Sequence, residues 1–137
     1  MTTTNHRAPP AAARRPGLVL ILESDRPIRS LVAEWLRMAE YRSMQVHDVA
    51  AAGKSAAQCD VVLVDIPAPL RAARETIASV AAVAPHTPII AMSADALVSG
   101  PSAAASVARE LGVAAVLVKP FGRHALMQAI ERARARI

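Results

Sequence analysis

Four short, unbroken apolar runs limit what this chain can fold into: Leu18 to Leu22, Val61 to Val64, Pro88 to Met92 and Val113 to Val118. A run of four to six apolar residues without alternation is the pattern of a strand buried on both faces. Such strands occur in parallel sheets covered by helices. A weaker stretch, Tyr41 to Val46, reads as the second strand in chain order, mixing Arg42, Ser43 and Gln45 with few apolar residues. Helical patterns fill the intervals. Asp25 can cap a helix that carries Pro27 in its first turn, and Ile28, Leu31, Val32, Trp35 and Leu36 fall on one stripe. Asp48 caps a short alanine-rich helix running to about Gln58. Residues 70 to 84 form a helix with Leu70, Ile77, Val80 and Val83 inward. Residues 102 to 111 form another, ending at Gly112. Residues 123 to 135 form the last, with Leu126, Met127, Ile130 and Ala133 inward. Strand and helix alternate five times, which predicts right-handed crossovers and helices on both faces of the sheet.

Only Trp35, Tyr41 and Phe121 are aromatic, so the core must be aliphatic. With 137 residues the chain has room for one core and one domain. Residues 1 to 16 lack any apolar period and read as a disordered tail before a folded unit spanning 17–137. The net charge of +5 resides at the two ends. Residues 17–122 hold nine Lys or Arg against ten Asp or Glu. Confined charge and few stacking rings argue against nucleic-acid binding. The single cysteine, Cys59, excludes an internal disulfide and points to a reducing, cytoplasmic compartment. No apolar run is long enough for a membrane span.

In an open parallel sheet, sites form beyond the carboxyl ends of the strands. The residues arriving there are Glu23, Ser24 and Asp25 after the first strand, and Asp65 after the third. Ser93, Ala94 and Asp95 follow the fourth, and Lys119, Pro120 and Phe121 the fifth. Taken singly, each is most simply a helix cap, a turn hydroxyl or a solvated charge. Together, carboxylates, a hydroxyl and an ammonium would suit a hard cation and a transferred phosphoryl group. One aspartate could itself be the nucleophile. One other small doubly wound reading competes less well. A flavin-binding protein would want a glycine-rich phosphate loop where Glu23 and Ser24 stand. The histidines His6, His47, His86 and His124 are scattered, without metal-ligand spacing.

From about residue 17 to 137 the chain resembles bacterial response-regulator receiver domains. The resemblance rests on LVLILESD (Leu18 to Asp25), DVVLVDIPAP (Asp60 to Pro69), PIIAMSA (Pro88 to Ala94) and VKPF (Val118 to Phe121). It implies a flavodoxin-like (βα)5 fold with a doubly wound five-stranded parallel sheet in the order 2-1-3-4-5. It implies Asp65 as phosphoacceptor, with Mg2+ held by Glu23, Asp65 and the carbonyl of Pro67. Ser93, the backbone of Ala94, and Lys119 would bind phosphoryl oxygens, and the peptide between Lys119 and Pro120 would be cis. The implied partners are a histidine kinase or histidine phosphotransfer protein. A downstream protein would bind the face made by the fourth helix, fifth strand and fifth helix. The chain would be a monomer or weak homodimer, with no enzymatic activity beyond self-phosphotransfer and autodephosphorylation. Two residues depart from the family pattern. Ser24 stands where a second acid usually binds the metal, which implies a weak or lost ligand. Val116 stands where an aromatic switch residue is common. An alternative reading follows: a phosphorylation-independent pseudo-receiver acting as a protein-binding module.

Overall fold

The computed structural model describes residues 17–94 and 101–135. The tail expected over residues 1 to 16, and Asp95 to Gly100 before the fourth helix, lie outside the described residues. The elements alternate from the first strand onward. They are β1 (Leu18–Leu22), α1 (Arg26–Met38), β2 (Arg42–Val46), α2 (Val49–Ala52), β3 (Val61–Ile66) and α3 (Leu70–Val83). Then come β4 (Ile89–Ala94), α4 (Pro101–Leu111), β5 (Ala115–Lys119) and α5 (Arg123–Ala135). All neighbouring strands are parallel, in the order β2-β1-β3-β4-β5.

Side chains alternate across each strand, so the sheet supports two cores. Val19, Ile21, Val61, Leu63, Ile90, Met92 and Leu117 face α1 and α5, where Val32, Leu36, Leu126 and Ile130 complete the packing. Leu20, Leu22, Val62, Val64, Ile66, Ala91 and Val116 face α2, α3 and α4, against Ala52, Ala73, Ile77, Val80 and Leu111. Full burial of a Val, Leu or Ile side chain is worth about 1.5–3 kcal/mol. The surface pairs Arg37–Glu34 and Arg74–Glu110 are exposed and screened, so the two aliphatic cores hold the fold.

The helix ends follow the expected chemistry. Asp25 Oδ1 accepts from the Ile28 amide at 3.2 Å, and Asp48 Oδ1 from the Ala51 amide at 2.8 Å. Gly112, at φ 72°, closes α4: its amide donates to the Arg109 carbonyl and the Val113 amide to that of Ala108. The same arrangement closes α1, with the Tyr41 amide on the Leu36 carbonyl, but the left-handed position there is Glu40 at φ 66°.

Four expectations change. The alanine-rich helix stops at Ala52, because Gly53 adopts φ 52°, and Gly53–Gln58 continues as a tighter 3-10 helix. Leu31, placed on the buried stripe of α1, is 49% exposed. Strands β3, β4 and β5 run on to Ile66, Ala94 and Lys119, so Asp65, Ser93 and Lys119 are strand residues rather than loop residues. Strand β5 begins at Ala115, because the Val113 amide is engaged in closing α4.

Glu40 is the one non-glycine residue at positive φ among the described residues. Glu40→Gly should therefore raise stability by about 0.5–1 kcal/mol, since relief of the left-handed strain exceeds glycine's entropy cost. Urea denaturation followed by circular dichroism checks this.

Candidate functional site

Strand parity assembles the site. Glu23 follows Val19 and Ile21 in the alternation, Asp65 follows Val61 and Leu63, and Lys119 follows Leu117. All three therefore emerge on the α1/α5 side of the sheet, at its carboxyl edge. Lys119 Nζ donates to Glu23 Oε1 at 2.7 Å and to Asp65 Oδ1 at 2.7 Å. The two carboxylates differ sharply in access. The Glu23 side chain is 1% exposed and that of Asp65 is 35% exposed, with Lys119 between them at 20%.

Glu23 is fixed from three directions. Its Oε1 takes the ammonium, its Oε2 accepts from the Asp25 amide at 3.1 Å, and its carbonyl accepts from Arg29 Nη1 at 2.6 Å. A carboxylate this deeply buried is tolerable only when charge-paired and hydrogen-bonded, and both conditions hold here. Burial pushes the Lys119 ammonium down, but hydrogen bonds to Asp65 and Glu23, and their charges, push it further up. The net displacement is upward from its ordinary 10.5.

The other residues expected at the site fall around this cluster. Ser24 is exposed on the bend after β1, and Asp25 is exposed and caps α1. Pro67 is exposed on the loop after β3. Ser93 is fully buried; it has the parity of Ala91, opposite to Asp65, and its hydroxyl donates to the Ala94 carbonyl at 2.9 Å. Val116 is buried in the core under α3 and α4. The Lys119–Pro120 peptide is cis, and so is Ala68–Pro69. Phe121, two residues past Lys119, packs against Trp35 of α1 with ring centroids 6.3 Å apart.

Arg29 was not singled out by the sequence reading. One signal could have found it. A helix N-terminus disfavours a cation, yet Arg29 lies in the first turn of α1, one turn beyond the Asp25 cap, where its side chain can fold back over the end of β1. A groove of about 640 Å3 lies at the opposite end of the sheet, near Ala84, Pro88, Leu111 and Val113. It is lined mainly by apolar side chains and does not include the charged cluster.

The family model for the response regulator receiver domain matches residues 19–131, and the chain belongs to that family. Solved structures share the fold. Chemotaxis protein CheY4 of Vibrio cholerae aligns at 24% identity and TM-score 0.66, covering 87% of this chain and 99% of that one. FixJ-N aligns at 20% identity and TM-score 0.70, covering 90% and 98%. A CheY-like receiver domain protein from Methanospirillum hungatei aligns at 15% identity and TM-score 0.69, covering 89% and 96%. At these identities the likeness establishes the fold alone. No curated protein sequence matches the chain. Receiver domains are generally signalling modules without enzymatic activity, and they work with histidine kinases or phosphotransfer proteins. No helix among the described residues is long and apolar enough to cross a membrane.

The acidic pocket of receiver domains typically binds Mg2+. That ion demands near-octahedral oxygen ligation. Here both oxygens of Glu23 are already engaged, Lys119 stands between the two carboxylates, and the next residue is the neutral Ser24. Among the described residues no group of three His, Cys, Asp or Glu is placed to hold a metal ion. The arrangement does not fit a divalent cation.

Lys119→Met leaves Glu23 buried without its counter-charge and should cost roughly 3 kcal/mol. Adding Glu23→Gln should recover more than half of that loss, because the buried negative charge disappears with its partner. Urea denaturation of both variants measures the coupling. The raised Lys119 ammonium also sets a sign for pH. Its stabilising contribution is fully present below the ordinary 10.5 and is lost as pH rises through the higher folded value. Thermal melts across the alkaline range should therefore show a steeper fall in stability for the wild type than for the Lys119→Met/Glu23→Gln pair, which keeps only the contribution of the buried Cys59 thiol, itself raised by burial.

Proposed function

We propose that the chain, as a receiver unit spanning 17–137, accepts a phosphoryl group on Asp65 from a histidine kinase or histidine phosphotransfer protein. It then signals by binding a partner through the α4, β5 and α5 face. One observation carries this reading. Of the two carboxylates that share Lys119, only Asp65 keeps substantial access to solvent.

The chemistry asks little of the protein beyond positioning and charge. An Asp65 carboxylate oxygen attacks phosphorus, and the bond from phosphorus to the donor's imidazole nitrogen breaks. The imidazole leaves with the electron pair and takes its proton from solvent. Lys119 moves from bridging two carboxylates to holding the phosphoryl oxygens. The Ser93 hydroxyl turns from the Ala94 carbonyl toward the same oxygens, joined by the Ala94 backbone amide. Catalysis is confined to this self-phosphotransfer and the hydrolysis that reverses it. The aliphatic body, with its net positive charge confined to the ends, supports a protein partner over nucleic acid. The lone buried thiol of Cys59 supports a reducing cytoplasm. The unit is a monomer or weak homodimer.

A second reading, a binding module independent of phosphorylation, is favoured by the neutral Ser24 and by Val116 sealed in the core. A valine held there cannot swing between buried and exposed states as an aromatic ring can. Incubation of the protein with a small acyl-phosphate donor, followed by intact mass measurement, separates the two. One phosphoryl unit is expected on the wild type and none on Asp65→Asn. An unlabelled wild type at high donor concentration would favour the binding module.

A further inference from the structure

We propose that this receiver works without a divalent cation, because Ser24 removes a hard ligand from the pocket and Lys119 already engages both carboxylates that remain. The inference rests on the phosphoacceptor reading of Asp65 and adds how that site is charged.

The cleft holds two carboxylates, and one ammonium contacts both at 2.7 Å. These three groups carry a net charge of −1. A second acid at position 24 would make it −2 and supply a further hard oxygen ligand; Ser24 does neither. Glu23 cannot be recruited cheaply. Releasing either of its oxygens would strand the Asp25 amide or the ammonium beside an almost wholly buried carboxylate. Arg29 also holds the Glu23 carbonyl, so this residue is fixed by backbone as well as side-chain contacts. A dication entering here would also face Lys119 across Asp65, with like charges in a partly desolvated cleft. The contacts of Glu23 and Asp65 therefore make the lysine the resident counter-charge. On phosphoryl transfer the Asp65 carboxylate becomes an acyl phosphate dianion. Lys119 can follow that charge on its flexible stem while Glu23 remains fixed behind it.

The test uses the full chain and two readouts. Isothermal titration calorimetry with Mg2+ alone should give no saturable binding to the wild type in the low-millimolar range. Ser24→Asp should bind at least about tenfold more tightly, a difference of roughly 1.4 kcal/mol. In parallel, labelling by an acyl-phosphate donor is followed by intact mass with Mg2+ or with a chelator. The wild type should label equally in both, within about twofold, whereas Ser24→Asp should gain a Mg2+ response of about tenfold. Saturable Mg2+ binding by the wild type overturns the inference. So does labelling that requires Mg2+, although Asp65 would then stand as phosphoacceptor. If the calorimetry is blank and no condition labels the wild type, the phosphoacceptor reading fails and the inference that rests on it falls with it.

Discussion

A single ammonium group bonded to two carboxylates organises the functional end of this protein. Lys119 shares its one positive charge between a buried acid and a half-open acid at equal distance. Without it, Glu23 would be an uncompensated ion in a closed site. With it, the tips of β1, β3 and β5 are tied together across the middle of the sheet. The arrangement is therefore structural and chemical at once. The same contact that satisfies Glu23 also positions a cation beside the accessible oxygens of Asp65.

The sheet makes this contact possible through parity alone. Glu23, Asp65 and Lys119 each continue an alternation whose earlier members are buried against α1 and α5. A slip of one residue in β1 or β5 would send its charged tip to the opposite face. The two aliphatic cores fix the register, and the register fixes the cluster. Ser93 shows the reverse case. It lies on the other parity, so its hydroxyl satisfies itself on the Ala94 carbonyl.

Much of this was legible in the chain. The runs Leu18 to Leu22 and Val61 to Val64 are strands, and their exits at Glu23 and Asp65 lead to one edge. Lys119 joins them there. The caps Asp25, Asp48 and Gly112 all act as their residue types suggest. What stayed hidden depends on contacts between distant segments. Nothing local to Glu23 says that both its oxygens are engaged, because one partner lies 96 residues away. The strand ends were underestimated because Asp65, Ser93 and Lys119 are polar, yet strand pairing carries through them. Leu31 fits a helical stripe by spacing, but a 3.6-residue period marks a face wider than the sheet can cover. The break at Gly53 turns on one backbone angle that an alanine-rich composition does not announce.

The chain has only two lysines, Lys119 and the exposed Lys54, so their side-chain nitrogens can be separated cleanly by nuclear magnetic resonance. The decisive measurement is a long-range correlation through hydrogen bonds from the lysine 15Nζ to the carboxylate carbons of uniformly labelled protein. The account requires Lys119 to couple to Glu23 Cδ and Asp65 Cγ, with ammonium protons exchanging far more slowly than those of Lys54. A Lys119 signal that exchanges like Lys54 and couples to neither carboxylate would contradict it.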